Sequence, residues 1–178
     1  LRESGKSIIS LDAEQEYKDL ANNLGGCYID LMSGRYIINP LEPKAWSEDA
    51  DDDSDVPEAF RKSTRLSQHI SYLKDFLRAY KDFSDAHIDA IEILLARLYE
   101  KLRIDDSTDY SKLKPCDYPI MSDLYELAEN EYKKYESGNR SLFTEDLLRE
   151  ICLGINSMCK GAEAKFFNGH TNISDDKF

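Results

Sequence analysis

The chain has 178 residues, 41% hydrophobic and 33% charged, and its 35 acidic against 23 basic residues leave a formal net charge of −12. That is one domain or slightly more, with enough apolar material for a core; no run approaches the ~20 apolar residues of a membrane helix, and no apolar run follows a basic start as in a signal peptide. The acidic balance repels nucleic-acid phosphates at long range, which argues against a stand-alone DNA-binding module.

The sequence opens on Leu1 and its first methionine is Met32, so it reads as an internal piece of a longer protein. Residues 7–11 predict a short buried strand that Asp12 ends. Tyr17, Leu20, Ala21 and Leu24 then recur at helical spacing, and Gly25-Gly26 predicts the helix stop. Cys27 to Leu31 predicts a second strand, turned at Ser33-Gly34, with Tyr36-Ile37-Ile38 as a brief continuation. Residues 1–46 therefore read β-α-β, a unit too small to close a sheet by itself.

Residues 47–60 are an acidic linker in which Asp51, Asp53 and Asp55 are spaced like the start of a calcium loop. Val56 stands where such a loop needs Gly and Lys62 where it needs a bidentate Glu, so a solvated acidic loop is expected. From 61 to 160 the period is helical. Leu66, Ile70, Leu73, Leu77 and Tyr80 form one apolar stripe, widened by Tyr72 and Phe76. Ser84 predicts the N-cap of a second helix carrying Ile88, Ile91, Leu94, Leu95, Leu98 and Leu102. The short connection predicts that the two pack antiparallel. After an irregular stretch with Pro115 and Pro119, Ser122 predicts the cap of a third helix with Leu124, Leu127, Ala128 and Tyr132 inward. Thr144 predicts the cap of a fourth, with Leu147, Leu148, Ile151, Cys152, Ile155 and Met158 inside. Residues 161–178 read as a return segment. The fold class expected is mainly α: a four-helix-type bundle attached to a small β-α-β piece.

Cys27, Cys116, Cys152 and Cys159 form no CxxC pair, and reduced thiols are expected. His69, His87 and His170 are scattered, so neither a metal site nor a Ser-His-Asp or Cys-His arrangement is expected from them. Gly5-Lys6-Ser7 lacks the upstream glycine and the following helix of a phosphate-binding loop and reads as a turn before a strand. Asp12, Glu14 and Glu16 follow the first predicted strand directly. Carboxylates there lie where α/β sheets place their sites; on residue chemistry alone the preferred reading is that Asp12 caps the helix while Glu14 and Glu16 favour its positive end.

Leu11-Asp12-Ala13-Glu14-Gln15-Glu16-Tyr17, then Leu24-Gly25-Gly26, then Ile38-Asn39-Pro40-Leu41, resembles the conjugative type IV secretion ATPases of the VirB-four class, called TraE or TraC in many conjugation systems. Leu66-Ser67-Gln68-His69-Ile70, Tyr80-Lys81-Asp82-Phe83 and the run from Cys159 through Phe166-Phe167-Asn168-Gly169-His170-Thr171-Asn172 carry the resemblance through the helical part. Ala13 replaces the usual Pro and Gln15 the usual Gly, which leaves the turn less tightly constrained.

The resemblance implies an internal slice of a RecA-like α/β P-loop motor domain with its all-helical insertion. It places the P-loop upstream of Leu1 and the magnesium-site strand downstream of Phe178. No cofactor is then expected within this chain, while ATP and magnesium are implied for the intact protein, where Asp12, Glu14 and Glu16 would lie beside the nucleotide. The slice itself is expected to be inactive. The implied partners are other type IV secretion components and neighbouring subunits of a hexamer, without direct nucleic-acid binding or membrane insertion, in the cytoplasm at the inner face of the cell membrane. The alternative is a stand-alone, non-enzymatic helical adaptor.

Overall fold

The computed structural model describes residues 10–43, 64–138 and 141–173. The acidic linker, the Gly5-Lys6-Ser7 turn and most of the first predicted strand lie outside the described residues. Among the described residues six α-helices run in order: α1 (Lys18–Asn23), α2 (Arg65–Lys81), α3 (Asp85–Lys101), α4 (Met121–Glu136), α5 (Glu145–Cys159) and α6 (Ala164–Phe167). Helices α2 to α5 are the four expected from the apolar stripes, and the chain is mainly α.

Two of the long helices, α2 and α5, start on side-chain caps. The Thr64 hydroxyl accepts from the Ser67 amide at 3.2 Å and the Thr144 hydroxyl from the Leu147 amide at 3.4 Å, satisfying otherwise orphan N–H groups. Two expected caps do other work. Ser84 holds the N-cap position of α3 without a cap hydrogen bond; its hydroxyl turns to Nδ1 of His87 at 2.6 Å. Ser122 lies inside α4, which starts one residue earlier, and the Asp123 carboxylate reaches back to the Ile120 amide at 2.7 Å. The α2–α3 connection is three residues long, with Asp82 at φ +54.

The core joins Leu66, Leu73 and Leu77 of α2, Ile88, Ile91, Leu94, Leu95 and Leu98 of α3, Leu124 and Ala128 of α4, and Leu148, Ile151, Ile155 and Met158 of α5. At about 1.5–3 kcal/mol for each large apolar side chain buried, these contacts dominate the stability of the unit. Helix α3 is central and packs against α2, α4 and α5. Phe83 lies directly on the backbone of α5: a Cβ on Gly154 would come within 2.4 Å of its ring. The buried Glu131 is held by Arg97, Lys134 and the Ser141 hydroxyl. Burial alone would raise its pKa, and these partners outweigh that and lower it.

The N-terminal lead departs from expectation. Residues 27–30 form no strand, and Leu31–Ser33 is a 3-10 turn whose Ser33 amide donates to the Asp30 carboxylate. Helix α1 covers six residues rather than the stretch from 13 to 23. A strand exists only by pairing with another strand, and Ile29 and Leu31 have none among the described residues. The expected turn residues do turn, with Gly25 at φ +67 and Gly34 at φ +68.

Candidate functional site

The carboxylates singled out in the sequence sit on one turn ahead of α1. Both oxygens of Asp12 accept backbone N–H groups, from Glu16 at 3.2 Å and from Tyr17 at 2.9 Å. Glu14 and Glu16 are exposed. Gln15, at the position where the resembling motif carries Gly, has φ +61, a left-handed conformation that costs a side-chain-bearing residue about 1–2 kcal/mol. The turn thus keeps the glycine conformation without the glycine. Asp12 also acts on Tyr28, whose phenol is raised above its ordinary pKa by loss of solvent and then by the Asp12 and Asp30 charges.

A triphosphate needs donors and positive charge around it, and this turn presents three carboxylates. No group of three or more metal-ligating side chains occurs among the described residues. The residues present do not fit ATP or magnesium by themselves, and no chemical step follows from them.

The structure assembles a different constellation at the stem of the bundle, where the chain enters and leaves it. The Ile37 amide donates to Oδ1 of Asn172 at 2.8 Å, and Nδ2 of Asn172 donates to the Arg35 carbonyl at 2.9 Å. The Asn172 amide donates back to the Ile37 carbonyl and the Ile38 amide to the Phe166 carbonyl. The Asn39 amide donates to the Thr171 hydroxyl at 3.1 Å. The side chain of Asn39, itself buried, bonds the Pro119 carbonyl and the Leu41 amide. The hydroxyl of the fully buried Tyr99 donates to the Leu41 carbonyl at 2.7 Å. Asn168 joins the ends of two helices: its Oδ1 accepts the Ser122 amide, and its Nδ2 donates to the Ser122 hydroxyl and the Cys159 carbonyl. The Ile-Asn-Pro-Leu and Asn-Gly-His-Thr-Asn strings that carried the resemblance are therefore the two sides of one clasp.

A second cluster locks the far end of α2 to the segment after α5. Lys81 donates to Glu163 at 2.8 Å and to the Ser157 hydroxyl at 2.9 Å, Ser157 donates to Glu163, and the Tyr80 hydroxyl donates to Glu163 at 3.0 Å. The Lys81 ammonium, followed by Ser157, holds the Glu163 carboxyl below its ordinary pKa. Tyr72, Phe76 and Tyr80 stack along α2 and meet Phe167.

Ser84, His87 and Glu150 stand in a hydrogen-bonded row, with His87 Nε2 2.8 Å from the Glu150 carboxylate, a juxtaposition the scattered histidines did not announce. Acyl transfer needs a cleft beside the nucleophile, and among the described residues the two clefts lie away from Ser84. One, of about 200 Å3, lies at Glu42, Arg65, Tyr110 and Tyr118; the other, of about 190 Å3, runs between α4 and α5 at Tyr125, Tyr132, Cys152 and Leu153. The row ties the start of α3 to α5, with His87 stacked on Phe83.

No protein-family model and no curated protein matches the chain. Among solved structures it is similar to VirB4 of Thermoanaerobacter pseudethanolicus, with a TM-score of 0.71 and 24% identity over 92% of this chain. The match covers 38% of the VirB4 chain, so this chain spans well under half of its structural relative. The likeness establishes the fold: a VirB4-like helical arrangement, the one the sequence motifs resemble.

Proposed function

We propose that this chain is part of a conjugative type IV secretion motor ATPase, contributing the helical insertion and the start of its return to the motor core. The observation that carries the reading is the unequal burial of its two parts. The bundle has a complete core, whereas Leu11, Tyr17, Leu20, Leu24, Leu31 and Met32 of the lead are all exposed. A run of this kind is built to be covered by more protein, and a larger α/β domain beside it would supply that cover. The fold likeness to VirB4 supports the same reading.

In the intact protein ATP and magnesium would be held by residues outside this chain. Asp12, Glu14 and Glu16 would lie near the nucleotide. The helical unit would dock other secretion components or neighbouring subunits of a hexamer, at the cytoplasmic face of the membrane, while the present chain alone turns over no ATP. The reading frame upstream of Leu1 should then encode Gly-x4-Gly-Lys-Ser/Thr; a frame opening immediately before Leu1 would remove the motor reading. In the longer protein, Glu16→Gln should lower ATP turnover and DNA transfer, and unchanged values would leave these carboxylates a capping role only. The complete core of the bundle favours the other reading, a stand-alone helical adaptor, which leaves the exposed apolar lead without a purpose.

A further inference from the structure

We propose that Gly34 is a hinge: the bundle and its clasp, the described residues of 35–43, 64–138 and 141–173, move as one body, uncoupled from the lead at 10–34. Three observations converge on this residue. No residue from 10 to 38 is buried, and the first buried position among the described residues is Asn39. Among the described residues, the side-chain hydrogen bonds of the lead all close within residues 12–35. From Arg35 onward the pattern inverts: Arg35, Ile37, Ile38 and Asn39 all bond to residues between 166 and 172.

Gly34 sits at that boundary in the left-handed region, at φ +68, a conformation glycine enters and leaves without steric cost. Its neighbour in space is the aliphatic stem of Lys165, a contact that can slide. A few element-terminal residues that absorb backbone rotation between well-bonded bodies are what a hinge requires. The clasp matters as much as the glycine. Without it, rotation at Gly34 would peel residues 35–41 off the bundle. With it, the rotation is delivered to the whole helical unit. The inference rests on this chain's own contacts and stands apart from the motor reading.

Two measurements on the full chain decide it. Native-state hydrogen exchange should show the Ile37, Ile38 and Asn39 amides protected with α3 and α5, slower by on the order of 100-fold or more than amides in 10–34. Asn172→Ala should raise exchange at Ile37 and Asn39 while α3 to α5 stay protected. Equal protection across Gly34, or no response at Ile37 and Asn39 to Asn172→Ala, overturns the proposal. Spin labels on the exposed Cys27 and Cys116, in a Cys152→Ser, Cys159→Ala background, should give a broad distance distribution. A second pair inside the body, Cys116 with Leu153→Cys in a Cys27→Ser chain, should give a narrow one. A Cys27–Cys116 distribution as narrow as the internal pair overturns the hinge. Should that background not fold, the exchange experiment on the unaltered chain decides alone.

Discussion

A left-handed Gln15 and a crowded Gly154 show how far single positions constrain this chain. Gln15→Gly should relieve the strain of φ +61 by up to about 1 kcal/mol, part of the gain being offset by the larger freedom of glycine when unfolded. The gain should appear as slower hydrogen exchange at the Glu16 and Tyr17 amides, the two that Asp12 accepts. Gly154→Ala should do the reverse. Mid-helix alanine is normally better than glycine, but here the new methyl would meet the Phe83 ring at 2.4 Å. A loss of about 1–3 kcal/mol in urea unfolding is expected from overpacking, with Phe83→Leu restoring part of it in the double variant. An unchanged midpoint for Gly154→Ala would show that the Phe83 ring yields freely.

Between elements, the Lys81–Ser157–Glu163 lock has a defined pH signature. The Glu163 carboxyl is held below its ordinary pKa in the fold, first by Lys81 and then by Ser157, so folding favours its ionised form. The stability it contributes is fully present above that ordinary value and is lost as pH falls through the lowered folded one. Glu163→Gln should therefore lower stability at neutral pH and flatten the acid limb of the stability-against-pH curve; a variant curve parallel to the parent's would show that the lock is energetically silent.

Elements also mark where sequence reading succeeds and stops. Helices α2 to α5 were legible because leucines and isoleucines three and four apart report a buried face locally. The strand expected over Cys27–Leu31 failed because Ile29 and Leu31 have an extended, apolar look but no strand partner among the described residues, and pairing is not a local property. The cap expected of Asp12 falls short: its carboxylate takes the Glu16 and Tyr17 amides, four and five residues away, which closes the turn ahead of α1, while the N-cap of α1 is Tyr17 without a side-chain cap bond. The clasp was illegible because Ile37 and Asn172 are 135 positions apart; its two sides showed in the sequence only as separate strings that carried the resemblance, with nothing to say that they pair. The cap expected at Ser122 went wrong through the same blindness, since that residue serves Asn168, 46 positions on.

For the molecule as a whole, burial is graded sharply enough to read with thiol chemistry. Cys27 and Cys116 are exposed, Cys152 is half-buried and Cys159 is buried. Loss of solvent pushes the Cys159 thiol up to about 11, against the weaker opposing pull of Lys160, and burial raises Cys152 as well. Because the thiolate is the nucleophile, a disulfide reagent at neutral pH should modify Cys27 and Cys116 first and Cys152 more slowly. Cys159 should follow only as the core opens, its rate rising with urea in step with loss of helix. Rapid labelling of all four in native buffer would mean that the α4–α5 interface does not hold as described.

The side-by-side placement of residues 35–39 and 166–172 has a consequence for whatever carries this unit. On the proposed motor reading, a neighbouring domain would meet two adjacent stretches of chain, with the described helices packed on one another between them. Such a plug-in can be lengthened, trimmed or exchanged for a short loop without altering the spacing its host must span. Swapping helical units between related machines then becomes a way to ask which part of the behaviour each unit brings with it.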